Sequence, residues 1–559
     1  MLLDALSAVR DLGRLHDIAS ILIRYGFGDI VRRLGMGHAL ERAGKALHWK
    51  YVEEVAHLEP PQRVRRALED MGPTFIKLGQ ILATRVDLFS PEWIAEFEKL
   101  QDQAPSLPFE KIQQQLEEDL GAPVDEVFSE FDRTPLAAAS IAQVHRGWLE
   151  ESQAVIVKVR RPGIRPVVEA DLRLLERLAR VAEREMLELR RFRPREVVRQ
   201  FSFSLRRELD LASECRSAER MAVGLDGDPN IVIPKVYWNL CGERVNVQEY
   251  IQGFAGRDVK ALDEAGLDRQ LLAQRGANAI LRMIIINGFF HADPHPGNII
   301  FLTGNRIAFI DFGMVGRLSE ARRDQVADLL YAIVERDADR AVDVLLEWAG
   351  DTAVDPRALT VDVDTFIDTY HGIPLKQLDI ASVLVDLTSL MRDHQLVLPP
   401  DLTLLFKALL TLEGMVRQIN PDFDLVSEAT PFLRQAMLAR YRPETIAKRG
   451  WRSFTGLVDI FSALPSDLRR VTRVMRSGAF RFNVDVTQLE RFGEQVDRSA
   501  SRLTMGMITS SLIIGSSIVM TVEAGPMLWG LPALGFIGFV GAGFSGFWLL
   551  LSVWRSTHR

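Results

Sequence analysis

The chain has 559 residues, of which 47% are hydrophobic and 26% charged, values that fit a globular protein with a modest membrane component. The formal net charge of −7 gives no reason to expect nucleic-acid binding. The two cysteines, Cys215 and Cys241, form no CxxC motif. This spacing argues against a disulfide framework and a structural zinc site, and it fits a reducing compartment.

Helices are predicted for the first part of the chain. Residues 1–60 have mixed faces and carry no recognisable chemistry. A helix is then predicted over residues 73–89, because proline is favoured in the first turn and apolar residues follow at helical spacing. These apolar positions are Phe75, Leu78, Leu82 and Val86. A separate polar stripe contains Lys77, Gln80 and Thr84.

A change of pattern separates two predicted lobes. After an amphipathic helix over 108–120, short strands are predicted around 124–160, most clearly in the run AVIVKV at 154–159. Charged helices over 165–222 precede strands at 231–236 and 244–251. Helices then extend to about residue 440, interrupted by a loop and a strand pair around 299–310. A strand-rich lobe followed by a helix-rich lobe indicates an α+β fold.

The strongest chemical signal is HADPHPGN at 291–298, followed by IDFG at 310–313. Asp293 and Asn298 have the five-residue spacing of a kinase catalytic loop, and an apolar strand pair connects them to the Asp311-Phe-Gly motif. The pattern predicts ATP binding with magnesium, with Asn298 and Asp311 as metal ligands and Asp293 as general base. Because magnesium prefers oxygen ligands, we interpret His291 and His295 as structuring the loop.

A lysine in a buried strand requires an anionic partner. Lys158 lies in the AVIVKV strand, and the kinase arrangement predicts that it contacts the nucleotide phosphates and a helix carboxylate. We assign that carboxylate to Glu214. Glu208 and Asp210 precede it, and we expect the three carboxylates to have different partners.

The expected glycine-rich nucleotide loop is absent from the sequence. Its place, before the lysine strand, is taken by PLAAASIAQVH at 135–145. Ala137, Ala138, Ala139 and Ser140 are therefore assigned to nucleotide binding, since small residues allow close approach although they are less free than glycine. We also assign Glu249 and Ile251, at the end of the 244–251 strand, to nucleotide binding.

The C-terminal part is predicted to associate with a membrane. Residues 440–482 contain ten basic and three acidic residues, interpreted either as a lipid-headgroup contact or as a solvated helical surface. Leu503–Val522 and Met527–Trp554 carry no charge and are each long enough to span a bilayer. Arginines at both ends predict a two-span hairpin with both ends in the cytoplasm. Its small-residue face, formed by Gly538, Ala542 and Gly546, could pack against the first span or form a homodimer.

Taken together, these motifs resemble the UbiB family, also called the aarF-domain-containing kinases. Lys77–Gln80 resembles its KxGQ motif, 137–140 its alanine-rich loop, Glu208–Asp210 its ExD motif, and 291–298 with 311–313 its catalytic core. The likeness covers about residues 60–420. It implies a bilobal protein-kinase-like fold in which the KxGQ helix lies over the cleft where a protein substrate would dock.

The resemblance also implies roles and partners. Lys77 and Gln80 would act in catalysis by contacting Glu208 or Asp210, which would be regulatory. Family members are ATPases with limited kinase activity that support coenzyme Q synthesis. The implied partners are anionic inner-membrane lipids, quinone precursors and other ubiquinone biosynthesis proteins, with the catalytic domain on the cytoplasmic side of a bacterial inner membrane.

The predicted domain order is a helical segment (1–60), the KxGQ extension (61–122), the N-lobe (123–255), the C-lobe (256–440), basic juxtamembrane helices (441–500) and the transmembrane hairpin (501–555). Three functions remain open at this stage. The protein could be an ATPase supporting ubiquinone synthesis, a kinase acting on a protein or a small prenylated phenol, or a non-enzymatic scaffold switched by nucleotide.

Overall fold

The structure is a computed structural model that describes residues 2–33, 57–100, 104–149, 153–190, 192–350, 354–371, 373, 379–440, 504–519, 527–528, 531–532, 536–538 and 540–547. The chain divides into two compact units, Met1–Ile446 and Ala447–Arg559. The first unit combines helices with antiparallel strands, as the α+β prediction requires. The predicted basic segment at 441–500 lies outside the described residues.

Helices form most of the first unit. In chain order they are α1 (Leu2–Arg24), α2 (Gly28–Arg33), α3 (Pro60–Met71), α4 (Pro73–Leu82), α5 (Pro91–Phe97), α6 (Phe109–Leu120), α7 (Val124–Val127), α8 (Ile164–Glu185), α9 (Leu187–Arg190), α10 (Pro194–Glu208), α11 (Leu211–Gly224), α12 (Val259–Glu264), α13 (Arg269–Leu281), α14 (Glu320–Glu335), α15 (Ala338–Ala349), α16 (Pro356–Tyr370), α17 (Ile380–Asp393), α18 (Pro400–Ile419) and α19 (Leu425–Arg440). A π-helical segment, Arg282–Asn287, continues α13.

The strands are short and lie mainly between these helices. They are β1 (Glu130–Phe131), β2 (Ala137–Ala138), β3 (Ala142–Trp148), β4 (Ala154–Arg160), β5 (Ile231–Val232), β6 (Val245–Glu249), β7 (Phe254–Ala255), β8 (Phe289–His291), β9 (Ile299–Leu302), β10 (Arg306–Phe309) and β11 (Val315–Arg317), with β12 (Met527–Leu528) and β13 (Leu531–Pro532) in the second unit.

The N-lobe sheet confirms the strand predicted at 154–159. Its order is β1-β3-β4-β6, with β2 added at β3, and all pairs are antiparallel. Val155, Val157 and Val159 of β4 are completely buried at 0% exposure. Because side chains alternate between the two faces of a strand, Lys158 is directed to the face opposite these valines.

The C-lobe is built around a large helical core that also encloses the β9–β10 hairpin. Ile299, Phe301, Ile307 and Phe309 of the hairpin are buried in this core. The strand pair predicted at 299–310 is therefore confirmed. Burial of every second residue fixes the register of the hairpin. In this register the start of β9, at Ile299, lies beside the end of β10, at Phe309.

An N-terminal extension, residues 57–100, packs against the helices that are inserted in the N-lobe. Phe75 and Leu78 of α4 share one buried cluster with Phe97, and with Leu172 and Phe201 from α8 and α10. The helix predicted over 73–89 is shorter than expected, since α4 ends at Leu82. The chain leaves the helix there and forms the polar contacts around residues 85–89 that are described below.

A buried acid of α18, Glu413, lies close to the half-buried Asp379 at the start of α17. Glu413 is only 5% exposed and its Oε1 lies 2.9 Å from Arg417 Nη2, which also contacts Asp379 Oδ1 at 3.1 Å. Burial, followed by the neighbouring Asp379 carboxylate, raises the pKa of Glu413 to about 7. Glu413 is therefore protonated in the folded protein at a pH where the unfolded chain has already lost the proton.

Glu413→Gln is expected to change the pH dependence of stability. The folded state binds more protons than the unfolded state between the unfolded pKa, near 4.5, and about 7, so stability falls as pH rises through this window. Glutamine has no proton to lose in this range, so the variant avoids the fall in stability. We expect the free energy of unfolding at pH 8 to rise by about 2 kcal/mol, with little change at pH 4.5.

Chemical denaturation of both proteins across pH 4.5–8 measures this effect. Glu347→Gln, on an exposed position of α15, is the matched control and should show no such trend. Equal stability of Glu413→Gln and the parent protein at pH 8 would contradict the interpretation of Glu413 as a protonated buried acid.

In the second unit, helical residues 504–519 pack against helical residues 536–538 and 540–547. Ala542 is 2% exposed, Gly546 faces Thr509, and a side chain at Gly538 would overlap Ser516. The predicted small-residue face thus packs against the preceding segment. Within the described ranges, we find no helix with both the length and the apolar character needed to cross a membrane. Parts of both predicted spans lie outside these ranges.

Candidate functional site

Lys158 lies at the centre of a charged cluster between the two lobes. Its Nζ is 2.5 Å from Glu214 Oε1 on α11 and 3.9 Å from Asp311 Oδ2. Asn246, opposite Lys158 on β6, donates its Nδ2–H to Glu214 Oε2 at 3.3 Å. The predicted pairing of Lys158 with Glu214 is therefore present, and the nucleotide contact of Lys158 stays a prediction.

The charges in this cluster determine which carboxylate is most readily ionised. Burial alone would lower the pKa of Lys158, but the charges of Asp311 and Glu214 raise it overall, so the lysine remains protonated. Burial raises the pKa of Glu214, although Lys158 opposes the rise. The Lys158 charge lowers the pKa of Asp311 to about 2. Asp311 is consequently an anion at all physiological pH values.

The β9–β10 hairpin brings the two predicted metal ligands to one end. Asn298 precedes β9 and Asp311 follows β10, and the Ile310 N–H donates to the Asn298 carbonyl at 2.9 Å. Asp311 has φ 62°, which is uncommon for a residue other than glycine and is characteristic of strained functional sites. An amide oxygen and an ionised carboxylate are suitable ligands for magnesium, so the residues present fit this ion.

The predicted catalytic loop, residues 291–298, is ordered by its own side chains. The Asp293 N–H donates to His291 Nδ1 at 3.1 Å, and the Gly297 N–H donates to His295 Nδ1 at 2.9 Å. Asn298 Nδ2 donates to the Asp293 carbonyl at 3.1 Å. Both histidines thus use a ring nitrogen to structure the loop, which agrees with their interpretation as structural groups.

The alanine-rich loop forms a tight turn beside the lysine strand. The Ala139 N–H donates to the Ala142 carbonyl at 2.8 Å, and Arg161 Nε donates to the Ala139 carbonyl at 2.8 Å. Ala137 and Ala138 form β2, and Ser140 is 3% exposed. The turn is therefore fixed by main-chain contacts and one arginine. The assignment of Ala137, Ala138, Ala139 and Ser140 to nucleotide binding remains a prediction.

Glu249 and Ile251 lie at the end of β6, on the other side of the lysine strand. Glu249 Oε2 accepts a hydrogen bond from the Lys235 N–H at 3.2 Å, and Val155 of β4 is its strand partner. The Glu249 side chain therefore supports the local turn. The assignment of Glu249 and Ile251 to nucleotide binding remains a prediction.

Lys77 of the KxGQ motif forms an ion pair with the end of α10. Lys77 Nζ lies 2.5 Å from Glu208 Oε1. Asp210 instead caps α11 by accepting from the Ala212 N–H, and it contacts Arg216 at 2.6 Å. Of the two carboxylates predicted as partners of Lys77, Glu208 therefore makes the contact.

The prediction that Gln80 contacts an ExD carboxylate is wrong. Its Nε2 donates to the Leu100 carbonyl at 3.0 Å. Leu100 lies three residues after the end of α5, and this places its carbonyl beside the Gln80 side chain. Gly79 also faces Leu100, and a Cβ at this position would lie 2.1 Å from Leu100 Cδ1. The last two motif residues thus fix the position of residue 100, while Lys77 makes the contact to the kinase-like lobe.

With this geometry established, comparison with known sequences assigns the family. The ABC1 atypical kinase-like domain matches residues 99–345, the UbiB helical domain matches 363–424, and the ABC1/UbiB kinase-like C-terminal domain matches 487–555. A probable protein kinase UbiB of Pseudomonas paraeruginosa is 36% identical over 444 residues, covering 78% of this chain and 83% of the relative. This chain belongs to the UbiB family.

Two further comparisons differ in how much of this chain they cover. A probable protein kinase UbiB of Pseudomonas putida is 34% identical over 526 residues, covering 92% of this chain and 96% of the relative. The structure of the Mycobacterium tuberculosis Rv3197–erythromycin complex is 21% identical, covers 58% of this chain and 83% of the other, and has a TM-score of 0.45. That TM-score is too low to support an argument, so the kinase-like assignment rests on the sequence matches.

Lys407, in the UbiB helical domain, is a site residue that sequence reasoning missed. Its Nζ lies 3.1 Å from Asp293 Oδ1 and 3.6 Å from Met314 Sδ. Lys407 is carried by α18, more than a hundred residues after the catalytic loop. A lysine within an otherwise apolar helical stretch is a weak signal, and without the fold nothing in the sequence connects it to Asp293.

The UbiB helical domain also binds the N-terminal extension directly. Arg85 and Asp87 form a buried ion pair at 2.7 Å, and Asp87 Oδ2 accepts from the Leu398 N–H at 3.0 Å. Arg392 Nη1 donates to the carbonyls of Val86 and Phe89 at 3.0 and 3.1 Å. We call the contacts of Arg85, Asp87, Arg392 and Leu398 the extension junction. It fixes the chain after the KxGQ motif to the C-lobe.

Proposed function

We propose that this UbiB-family protein is an ATPase that uses ATP and magnesium to support ubiquinone synthesis. The observation that carries the proposal is the convergence of Lys158, Asp293, Asn298 and Asp311 between the lobes. Lys158 would bind nucleotide phosphates, and Asn298 and Asp311 would bind magnesium, which supplies charge neutralisation for the phosphates when bound. Asp293 would accept the proton of the attacking water.

Water is the favoured acceptor, since the extension contacts both lobes and the family resemblance implies that it covers the cleft where a protein substrate would dock. Lys77 pairs with Glu208, and its charge contributes, after that of Lys158, to the low pKa of Asp311. The extension junction attaches the following residues to the C-lobe. A large protein acceptor would have to displace these contacts, including a buried ion pair, whereas water would not.

We also propose that the protein is anchored in a membrane and acts with specific partners. The charge-free segments and the flanking arginines favour a two-span hairpin in a bacterial inner membrane, with the site in the cytoplasm. Anionic lipids, quinone precursors and other ubiquinone biosynthesis proteins are the proposed partners, and ATP hydrolysis would aid access of a lipid precursor or assembly of the enzymes. The packed small-residue face at Ala542 favours an intramolecular hairpin over a homodimer through the same face.

Purified full-length protein is expected to release phosphate from ATP in the presence of magnesium. Vesicles containing anionic phospholipid, or a prenylated phenol, should increase turnover severalfold, because the proposed site works beside a lipid surface. Vesicles of zwitterionic phospholipid are the control. Absence of ATP turnover under every lipid condition would overturn the proposal.

Labelled γ-phosphate distinguishes the ATPase from a kinase, which the Asp293–Asn298 geometry also permits. Label recovered as inorganic phosphate supports hydrolysis. Label recovered on the phenol or on a protein, and lost with Asp293→Asn, would replace the ATPase by a phosphotransferase.

A further inference from the structure

Lys407 places a second cation beside the predicted catalytic residues, at a different carboxylate from the ones that Lys158 contacts. Lys158 contacts Asp311, which is predicted to bind metal, whereas Lys407 contacts Asp293, the predicted base. The other neighbour of Lys407 Nζ is the sulfur of Met314, three residues beyond Asp311. The Lys407 ammonium therefore lies between the catalytic loop and the segment that follows the metal ligand.

The contacts of this ammonium leave donor capacity for an anion. A lysine ammonium has three donors, and two acceptors within the described residues are Asp293 Oδ1 and the Met314 sulfur. A thioether is a weak acceptor, so a phosphoryl oxygen would replace it with a gain in energy. The side chains of Lys407 and Asp293 are 25% and 27% exposed, which makes the ammonium accessible from the cleft.

The position of Lys407 is set by a rigid element. Helix α18 is anchored at its start by the Arg322–Asp401 ion pair, at 3.0 Å, and Leu402, Leu405 and Phe406 are buried in the C-lobe core. Such a support is what a preorganised electrostatic group requires, because its charge then needs no rearrangement during the reaction.

We infer that Lys407 is a catalytic residue of the UbiB-family site, binding the oxygens of the γ-phosphoryl group during transfer while fixing Asp293. The inference rests on the proposed phosphoryl-transfer function. In hydrolysis, a bond forms between the water oxygen and the γ-phosphorus, and the bond from that phosphorus to the bridging oxygen of ADP breaks. Asp293 accepts a proton from the water, and Lys407 keeps its own proton throughout.

The N-terminal extension contributes a second acid near this lysine. Glu98, which follows α5, has its pKa raised by burial, and the charge of Lys407 opposes this rise. Lys407 therefore lies within electrostatic reach of both the catalytic loop and the extension. The charge of Lys407 offsets that of Asp293, so a phosphoryl group can approach this carboxylate with less repulsion.

Binding of a transition-state mimic tests this inference without relying on turnover. The affinity of full-length protein for MgADP is compared with its affinity for MgADP plus aluminium fluoride, which occupies the place of the transferring phosphoryl group. Lys407→Met should leave MgADP affinity unchanged and reduce the preference for the fluoride complex by about 30-fold, because a charge-assisted contact is lost. Lys407→Arg should restore part of this preference, since it retains the charge.

Lys111→Met is the matched control, because it removes an exposed lysine of α6 that makes no contact with Asp293 or Met314, and it should retain the full preference. A Lys407→Met protein with an undiminished preference, or an equal loss for MgADP and the fluoride complex, would overturn the inference. So would a parent protein with no preference for the fluoride complex. If Lys407→Met does not fold, Lys407→Gln is measured in the same way.

Failure of the proposed function is recognised separately. A parent protein that prefers the fluoride complex but releases no phosphate from ATP refutes the ATPase. In that case the preference measured with Lys407→Met still decides the role of the lysine.

Discussion

Asp311→Asn is expected to lower ATP turnover by about 1,000-fold, on the scale seen when one preorganised electrostatic group is removed from an active site. The substitution removes the carboxylate that the proposed function assigns to magnesium. It also removes an anion 3.9 Å from Lys158, which keeps its ion pair with Glu214. The overall fold should be retained, because the Asp311 side chain is 52% exposed and asparagine tolerates the same positive φ.

Steady-state turnover at increasing magnesium concentration measures this effect. Asp355→Asn is the matched control, since Asp355 caps α16 and asparagine is an equally good cap. Turnover of the control should equal that of the parent protein. Retention of biological function by Asp311→Asn would favour the nucleotide-switched scaffold over an enzyme.

Asp87→Ala should destabilise the protein by about 4 kcal/mol, because it breaks a buried ion pair by removing one partner. The Asp87 side chain is 0% exposed and its carboxylate accepts from both Arg85 and the Leu398 N–H. Without it, the guanidinium of Arg85, at 6% exposure, remains charged and largely buried. The lost stability belongs to the extension junction. We therefore expect residues 57–100 to unfold in the first transition of the variant.

Differential scanning calorimetry and denaturant titration measure the change. Asp368→Ala is the control, because it removes an ion pair of the same length, 2.7 Å, whose side chains are 52% and 63% exposed. Exposed pairs contribute at most about 1 kcal/mol, so this variant should be close to the parent. Similar destabilisation by the two substitutions would show that the extension junction contributes no more than a surface pair.

Local sequence patterns predicted the two parts of the site that lie within short segments, namely the lysine strand and the β9–β10 hairpin. The alternation in AVIVKV placed Lys158 opposite three buried valines, and the apolar hairpin placed Asn298 beside Asp311. Both results follow from the two-residue period of strands and the short connection between them. The nucleotide and metal roles of these residues remain predictions, since they depend on ligands.

Contacts between distant segments could not be predicted in the same way. Lys407 reaches Asp293, and Asp87 reaches Leu398, only because the helical domain folds back onto the catalytic loop and the extension. Gln80 shows the same difficulty at short range. The family resemblance implied that it shares a partner with Lys77, but the amide donates to the carbonyl of Leu100, which follows α5. Sequence spacing identifies a helix face, but the partner depends on tertiary packing.

The extension junction has a consequence for the exchange of segments among UbiB-family relatives. The extension and the helical domain meet through main-chain carbonyls and amides of particular loops, at Val86, Phe89 and Leu398, so that each segment fits the backbone path of the other. A chimera that receives only the first hundred residues of a relative would bring together two surfaces that did not evolve as a pair. Exchanging residues 57–100 together with 379–419 takes both halves from the same parent, and the residue at position 407 then comes from that parent as well.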